Sequence, residues 1–123
     1  MKSIEQMKET VKQFLIDNGF EQDNYFLNFD NYHFPGKAEI IKGTRFNTFT
    51  MTEMPDNKYV GRCITVKEVY RSNGTEANQS IEILVTDWDG SNGRRIFREK
   101  LYARHGEKKT ASVLANILEA YHG

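Results

Sequence analysis

Ile81-Glu82-Ile83-Leu84-Val85-Thr86-Asp87-Trp88-Asp89-Gly90-Ser91-Asn92-Gly93-Arg94-Arg95-Ile96-Phe97-Arg98-Glu99-Lys100-Leu101-Tyr102 reads as two strands folded about a turn. Both arms are rich in β-branched and aromatic residues, and the Asp89-Gly90-Ser91-Asn92-Gly93 cluster between them tolerates the positive φ that tight hairpins require. A further strand-like run at 59–70 ends at Ser72-Asn73-Gly74, a second turn of the same kind. The three runs therefore predict an antiparallel meander. No helical periodicity lies between them to supply a parallel crossover.

Working outward, 25–29, 38–41 and 46–51 read as further strands, from aromatic and β-branched segments punctuated by Asn, Gly, Pro and Asp. Towards the N-terminus, Ser3 and Gln6 form a capping-box pattern. Ile4, Met7, Val11, Phe14 and Leu15 then recur at helical spacing until Asn18-Gly19 stops them. After Gly106, Thr110 is expected to cap a second helix whose Leu114, Ile117, Leu118 and Tyr121 form an apolar stripe. The expectation is one α+β domain over residues 1–123: an antiparallel sheet of five or six strands with an N-terminal and a C-terminal helix packed on one face.

A chain of 123 residues buries roughly 65% of its unfolded surface, enough for one core without staples. The composition, 38% apolar and 28% charged with two prolines, lies outside the disordered classes. Cys63 is the sole cysteine, so no intramolecular disulfide forms, and no N-terminal stretch has the make-up of a signal peptide. The longest apolar runs, Ile83-Leu84-Val85 among them, are three residues, far short of the ~20 residues of a membrane span. The chain reads as cytoplasmic, with no membrane partner.

Charge is where the sequence points to function. Between positions 94 and 109, seven cations (Arg94, Arg95, Arg98, Lys100, Arg104, Lys108 and Lys109) meet two anions, Glu99 and Glu107, for a local +5 in a chain whose formal total is zero. Such a strip concentrates positive potential wherever it is displayed. On a regular strand, Ile96, Arg98, Lys100 and Tyr102 share one face, and Arg95, Phe97, Glu99 and Leu101 the other. Arg98, Lys100 and Arg104 beside Tyr102 would suit phosphate oxygens and a stacked base, although an edge strand also carries such cations simply to discourage pairing.

Other constellations carry less. Asp87 to Gly93 fails as a calcium loop, because Asn92 replaces the required glycine and Arg98 the bidentate glutamate. His33, His105, His122 and Cys63 show no zinc-ligand spacing, so no metal is expected. His105, next to Arg104 and Glu107, has the residue type of a general base for phosphodiester cleavage. Gly61 is isolated within a strand, and Gly90 and Gly93 precede a strand, so no nucleotide cofactor is expected. Eight of the fifteen aromatic residues lie between Phe20 and Phe49. Most belong in a core, and Tyr32, His33 and Phe34 ahead of Pro35-Gly36 read as a projecting loop.

In size, Asn- and Lys-rich vocabulary, single cysteine and α+β character, the chain resembles the small accessory proteins of phages and mobile elements of low-GC Gram-positive bacteria, anti-CRISPR inhibitors among them. The resemblance carries no motif and transfers no residue role. It implies a non-enzymatic inhibitor of a host nucleic-acid-handling enzyme, a protein or ribonucleoprotein such as a CRISPR effector nuclease, docked on the strip. Two further readings stand beside it: a single-stranded DNA- or RNA-binding accessory protein, and a small phosphodiesterase using His105 or His33. An uncovered edge strand or a spare aromatic face would each support a homodimer.

Overall fold

The computed structural model describes residues 2–69, 75 and 78–123. In chain order its elements are α1 (Ile4–Asp17), β1 (Glu21–Asp23), β2 (Asp30–His33), β3 (Ala38–Ile41), β4 (Thr44–Asn47), β5 (Thr52–Pro55), β6 (Lys58–Val69), β7 (Ser80–Gly90), β8 (Gly93–Tyr102) and α2 (Glu107–His122). Six strands form one antiparallel sheet in the order β1-β2-β6-β7-β8, with β3 alongside the first part of β6, while β4 and β5 pair as a separate hairpin. The expected α+β architecture and the β6-β7-β8 meander are both present. Tyr70 and the turn expected at 72–74 lie outside the described residues.

Helix α1 starts as its sequence dictates. The Ser3 hydroxyl accepts from the Gln6 amide at 3.1 Å and the Gln6 side chain accepts from the Ser3 amide at 2.9 Å, satisfying two otherwise orphaned donors. Helix α2 starts one turn earlier than expected. Gly106 is its N-cap, and Thr110 is buried within the first turn, its hydroxyl donating back to the Gly106 carbonyl at 2.9 Å. Glu107, Lys108 and Lys109 are good helix formers, so the helix extends through them.

Both helices cover the same face of the sheet. Met7, Val11 and Leu15 of α1 and Val113, Ile117 and Tyr121 of α2 bury Ile64, Val66, Ile81, Ile83, Val85 and Leu101 beneath them. Among the described residues no helix is long and apolar enough to cross a membrane.

Residues 24–29 pack on the opposite face, and here the expectation from sequence is corrected. This stretch is the loop between β1 and β2, not a strand. As a strand it would have to bury rings on two faces at once. As a loop it turns Phe26 onto Tyr59 and Trp88, at ring separations of 6.3 and 5.4 Å, and Phe29 beneath the Lys67 ammonium, leaving Leu27 in solvent. The expected projecting loop at 32–34 is also absent. Tyr32 is fully buried in β2 against the helices, and Phe34 packs edge-on to Phe20 and His122. The strand expected at 46–51 breaks at Asn47, whose side-chain oxygen accepts from the Phe49 and Thr50 amides and folds the chain into a turn.

Candidate binding surface on the open sheet face

Strand β8 is an edge strand, and its cations lie where its register with β7 puts them. Val85 stands opposite Phe97 but Thr86 opposite Arg95, so Ile96 is an extra residue, a β-bulge. The bulge lets Ile96 and Phe97, adjacent in sequence, both pack against the helix-side core. It also reverses the expected parity upstream. Arg95 shares the open face with Arg98 and Lys100, opposite Thr86, Leu84 and Glu82 respectively, and Ile96 does not.

The predicted strip thus divides. Arg95, Arg98, Lys100 and Tyr102 form a row on the open face. Arg94 is displaced to the helix side, 3.9 Å from Asp87, a carboxylate already held by Arg62 at 2.7 and 3.0 Å. The Arg62 hydrogen bond is the main reason the Asp87 carboxyl sits below its ordinary range. Arg62 also donates to the Tyr121 carbonyl at 2.8 Å, while the Tyr121 hydroxyl donates to the Arg62 carbonyl, so this cation locks the end of α2 to β6. Lys108 and Lys109 project from the first turn of α2, where the helix dipole is already positive, and reinforce the local potential.

Within the row, Arg98 donates to Glu82 at 2.7 Å, a bond that holds the Glu82 carboxyl low. Arg104 stacks its guanidinium 4.3 Å from the Tyr102 ring centroid and donates to Asn78. Among the described residues, Arg95, Lys100, Lys108 and Lys109 form no ion pair. Glu82 is the feature that parity reasoning passed over, although its place opposite Lys100 follows once the hairpin register is known.

His105 closes the turn behind β8. Its Nδ1 accepts from the Tyr102 amide at 3.1 Å, so the lone pair a general base would use is engaged by the backbone. His33 lies on β2, three strands across the sheet from β8 and towards its other end, with its Nδ1 2.8 Å from Asp23. Cys63 is buried, and burial pushes its thiol up to about 11, which keeps it protonated and unreactive. Among the described residues, no three His, Cys, Asp or Glu side chains converge as metal ligands would.

Desolvation, then Arg104 and Lys109, lower the His105 pKa from its ordinary 6.5, against a smaller opposing effect of Glu99. As pH falls the unfolded chain therefore takes up the proton first. The stability linked to His105 is complete above 6.5 and is lost as pH falls from there through the folded-state value. Urea unfolding across this window should show that slope in the native chain, and His105→Asn, whose side-chain oxygen can replace Nδ1 as acceptor, should remove it. An unchanged slope in the variant would contradict the assignment.

No family model, no curated protein and no solved structure matches this chain.

Proposed function

We propose that this chain is a non-enzymatic binding protein that blocks a nucleic-acid-handling enzyme of a host cell, as phage and mobile-element inhibitors of CRISPR effector nucleases do, by docking through the open face of β8. The observation that carries this reading is the row Arg95, Arg98 and Lys100 on an edge strand, in which, among the described residues, only Arg98 has a carboxylate at ion-pair distance. Such enzymes present phosphate of bound RNA or DNA beside acidic protein patches, and a row of cations meets both. Arg98 and Tyr102, each pre-positioned by a neighbour, are the anchors from which most of the affinity would come, with the remaining charges setting the association rate.

Replacing Arg95, Arg98, Lys100 and Arg104 together by Glu is expected to abolish capture of the partner in a pull-down from host lysate. Unfolding free energy should shift by only about 1–2 kcal/mol, chiefly through the like charge placed beside Glu82. Capture that survives the four reversals would remove the row from the function. Running the pull-down with and without nuclease treatment tells a protein target from a nucleic-acid one.

A second reading, a single-strand DNA or RNA binder, is favoured by the stacked Tyr102 and Arg104 beside Lys100, an aromatic and cationic pair of the kind that holds a base and its phosphate. Fluorescence anisotropy with a bare oligonucleotide separates the two. Tight binding that weakens by orders of magnitude between about 50 and 200 mM salt selects the second reading and displaces the first.

A further inference from the structure

The β4–β5 hairpin stands apart from the main sheet and is tied by hydrogen bonds at its base and its tip. Its base is closed by the Asp56 amide on the Gly43 carbonyl at 2.8 Å and by the Tyr25 hydroxyl on the Asn57 carbonyl at 2.7 Å. Its tip is held by the Asn47 side chain and by the Thr50–Thr52 hydroxyl contact at 2.7 Å. From this preformed arm project Phe46, Phe49 and Met51, at 56%, 96% and 70% exposure. Residues 46–52 carry no charge, so the tip offers no cation to a phosphate. Large apolar side chains grouped on a surface mark a contact.

On the open face of the sheet, next to the cationic row, Phe26, Phe29, Leu84, Thr86 and Trp88 line an apolar recess of about 240 Å³. A cavity of roughly 150 Å³ already accepts a benzene ring, so the recess takes one phenyl group with room to spare. Lys67 stands at its wall, and the arm presents Glu53 directly opposite Phe46 on the same hairpin face, a carboxylate to meet that ammonium.

We propose that the occupant is a second copy of this chain: the arm of each copy seats Phe49 in the recess of the other about a twofold axis. Every copy carries one arm and one recess, so two copies related by a twofold axis would satisfy both sites at once and close as a dimer. Aromatic side chains bury roughly 150–250 Å² each. Two arms of three large apolar groups, with the recess walls they cover, are therefore on the order of the ~1,000 Å² at which a specific interface begins. The contact uses none of Arg95, Arg98 or Lys100, so it stands or falls apart from the proposed function.

Sedimentation equilibrium on the full chain tests it. Twice the single-chain mass is expected at micromolar concentration. Phe49→Asp on the exposed tip, and separately Thr86→Arg in the recess, should each weaken association tenfold or more with the far-ultraviolet circular dichroism unchanged. The quadruple Glu variant of the cationic row should still dimerise. A wild-type chain that stays monomeric up to about 0.5 mM, or a dimer that survives Phe49→Asp, overturns the proposal. So does dissociation of the dimer by a thymidine oligonucleotide, which would assign the recess to bases.

Discussion

Gly61→Ala is expected to lower the unfolding free energy by about 3 kcal/mol or more, a fall in melting temperature on the order of 10 °C for a domain of this size. Residue 61 has φ +119°, a conformation that side chains with a Cβ rarely adopt. A methyl group there would stand 2.6 Å from the Ala38 Cα and 2.8 Å from its Cβ, and would press on the Lys37 carbonyl. That obstruction is backbone and cannot rotate away. The closeness has a structural purpose: β6 changes partner here, pairing with β3 through Gly61 and with β2 from Ile64 onward, and the Arg62 amide reaches back to Lys37 at 3.4 Å. Substitution should therefore loosen β3 and the arm that follows it. Guanidinium unfolding of Gly61→Ala within 0.5 kcal/mol of the native chain would mean that this approach is not tight.

Gly61 also illustrates what sequence could and could not yield. A lone glycine within a strand pattern flags a bulge or a close approach, but the partner that comes close is 23 positions upstream and has no local signature. Elements whose determinants are local were legible. Helix α1 carries its own cap and periodicity, and the β7–β8 turn carries an Asp89 whose carboxylate accepts from the Ser91 and Asn92 amides. Elements held by distant partners were not. β1 and β2 are mostly polar segments, Glu21–Asp23 and Asp30–His33, that form strands because β6 offers an edge and because Tyr32 finds the core. The aromatic run 25–29 has the higher strand propensity and becomes a loop, tertiary packing overriding composition.

The candidate site was legible in the same partial way. Charge content is a property of composition, so the cations of the row were found. Their facing depended on a bulge that a strict two-residue period cannot anticipate. The carboxylate opposing Arg98 and the recess beside the row arise from strands aligned by the meander, and only register reveals them.

Asp23→Ala is expected to destabilise the fold by about 3–5 kcal/mol, because one nearly buried carboxylate serves several donors at once. Asn31 donates to its two oxygens at 2.9 and 3.1 Å, the Tyr59 hydroxyl at 3.1 Å and the Tyr25 amide at 3.2 Å, while His33 Nδ1 lies 2.8 Å away. Asn31 and Tyr59 are themselves buried, so deleting the acceptor strands their polar hydrogens where water does not reach. The Thr65 hydroxyl, which donates to Asn31 at 2.8 Å, would lose its fixed partner in turn. Asp23 also sets the direction of the 24–29 loop, and with it the contact of Phe26 on Trp88. Trp88 is the sole tryptophan, so its emission reports the loop directly and should shift to the red as Phe26 withdraws. Asp23→Asn keeps one acceptor oxygen but turns an amide towards existing donors, and its loss should fall between those of the native chain and the alanine variant. Stability within 1 kcal/mol of native in Asp23→Ala, with unchanged tryptophan emission, would show that the loop is held by its rings alone and that the carboxylate is incidental to the open face.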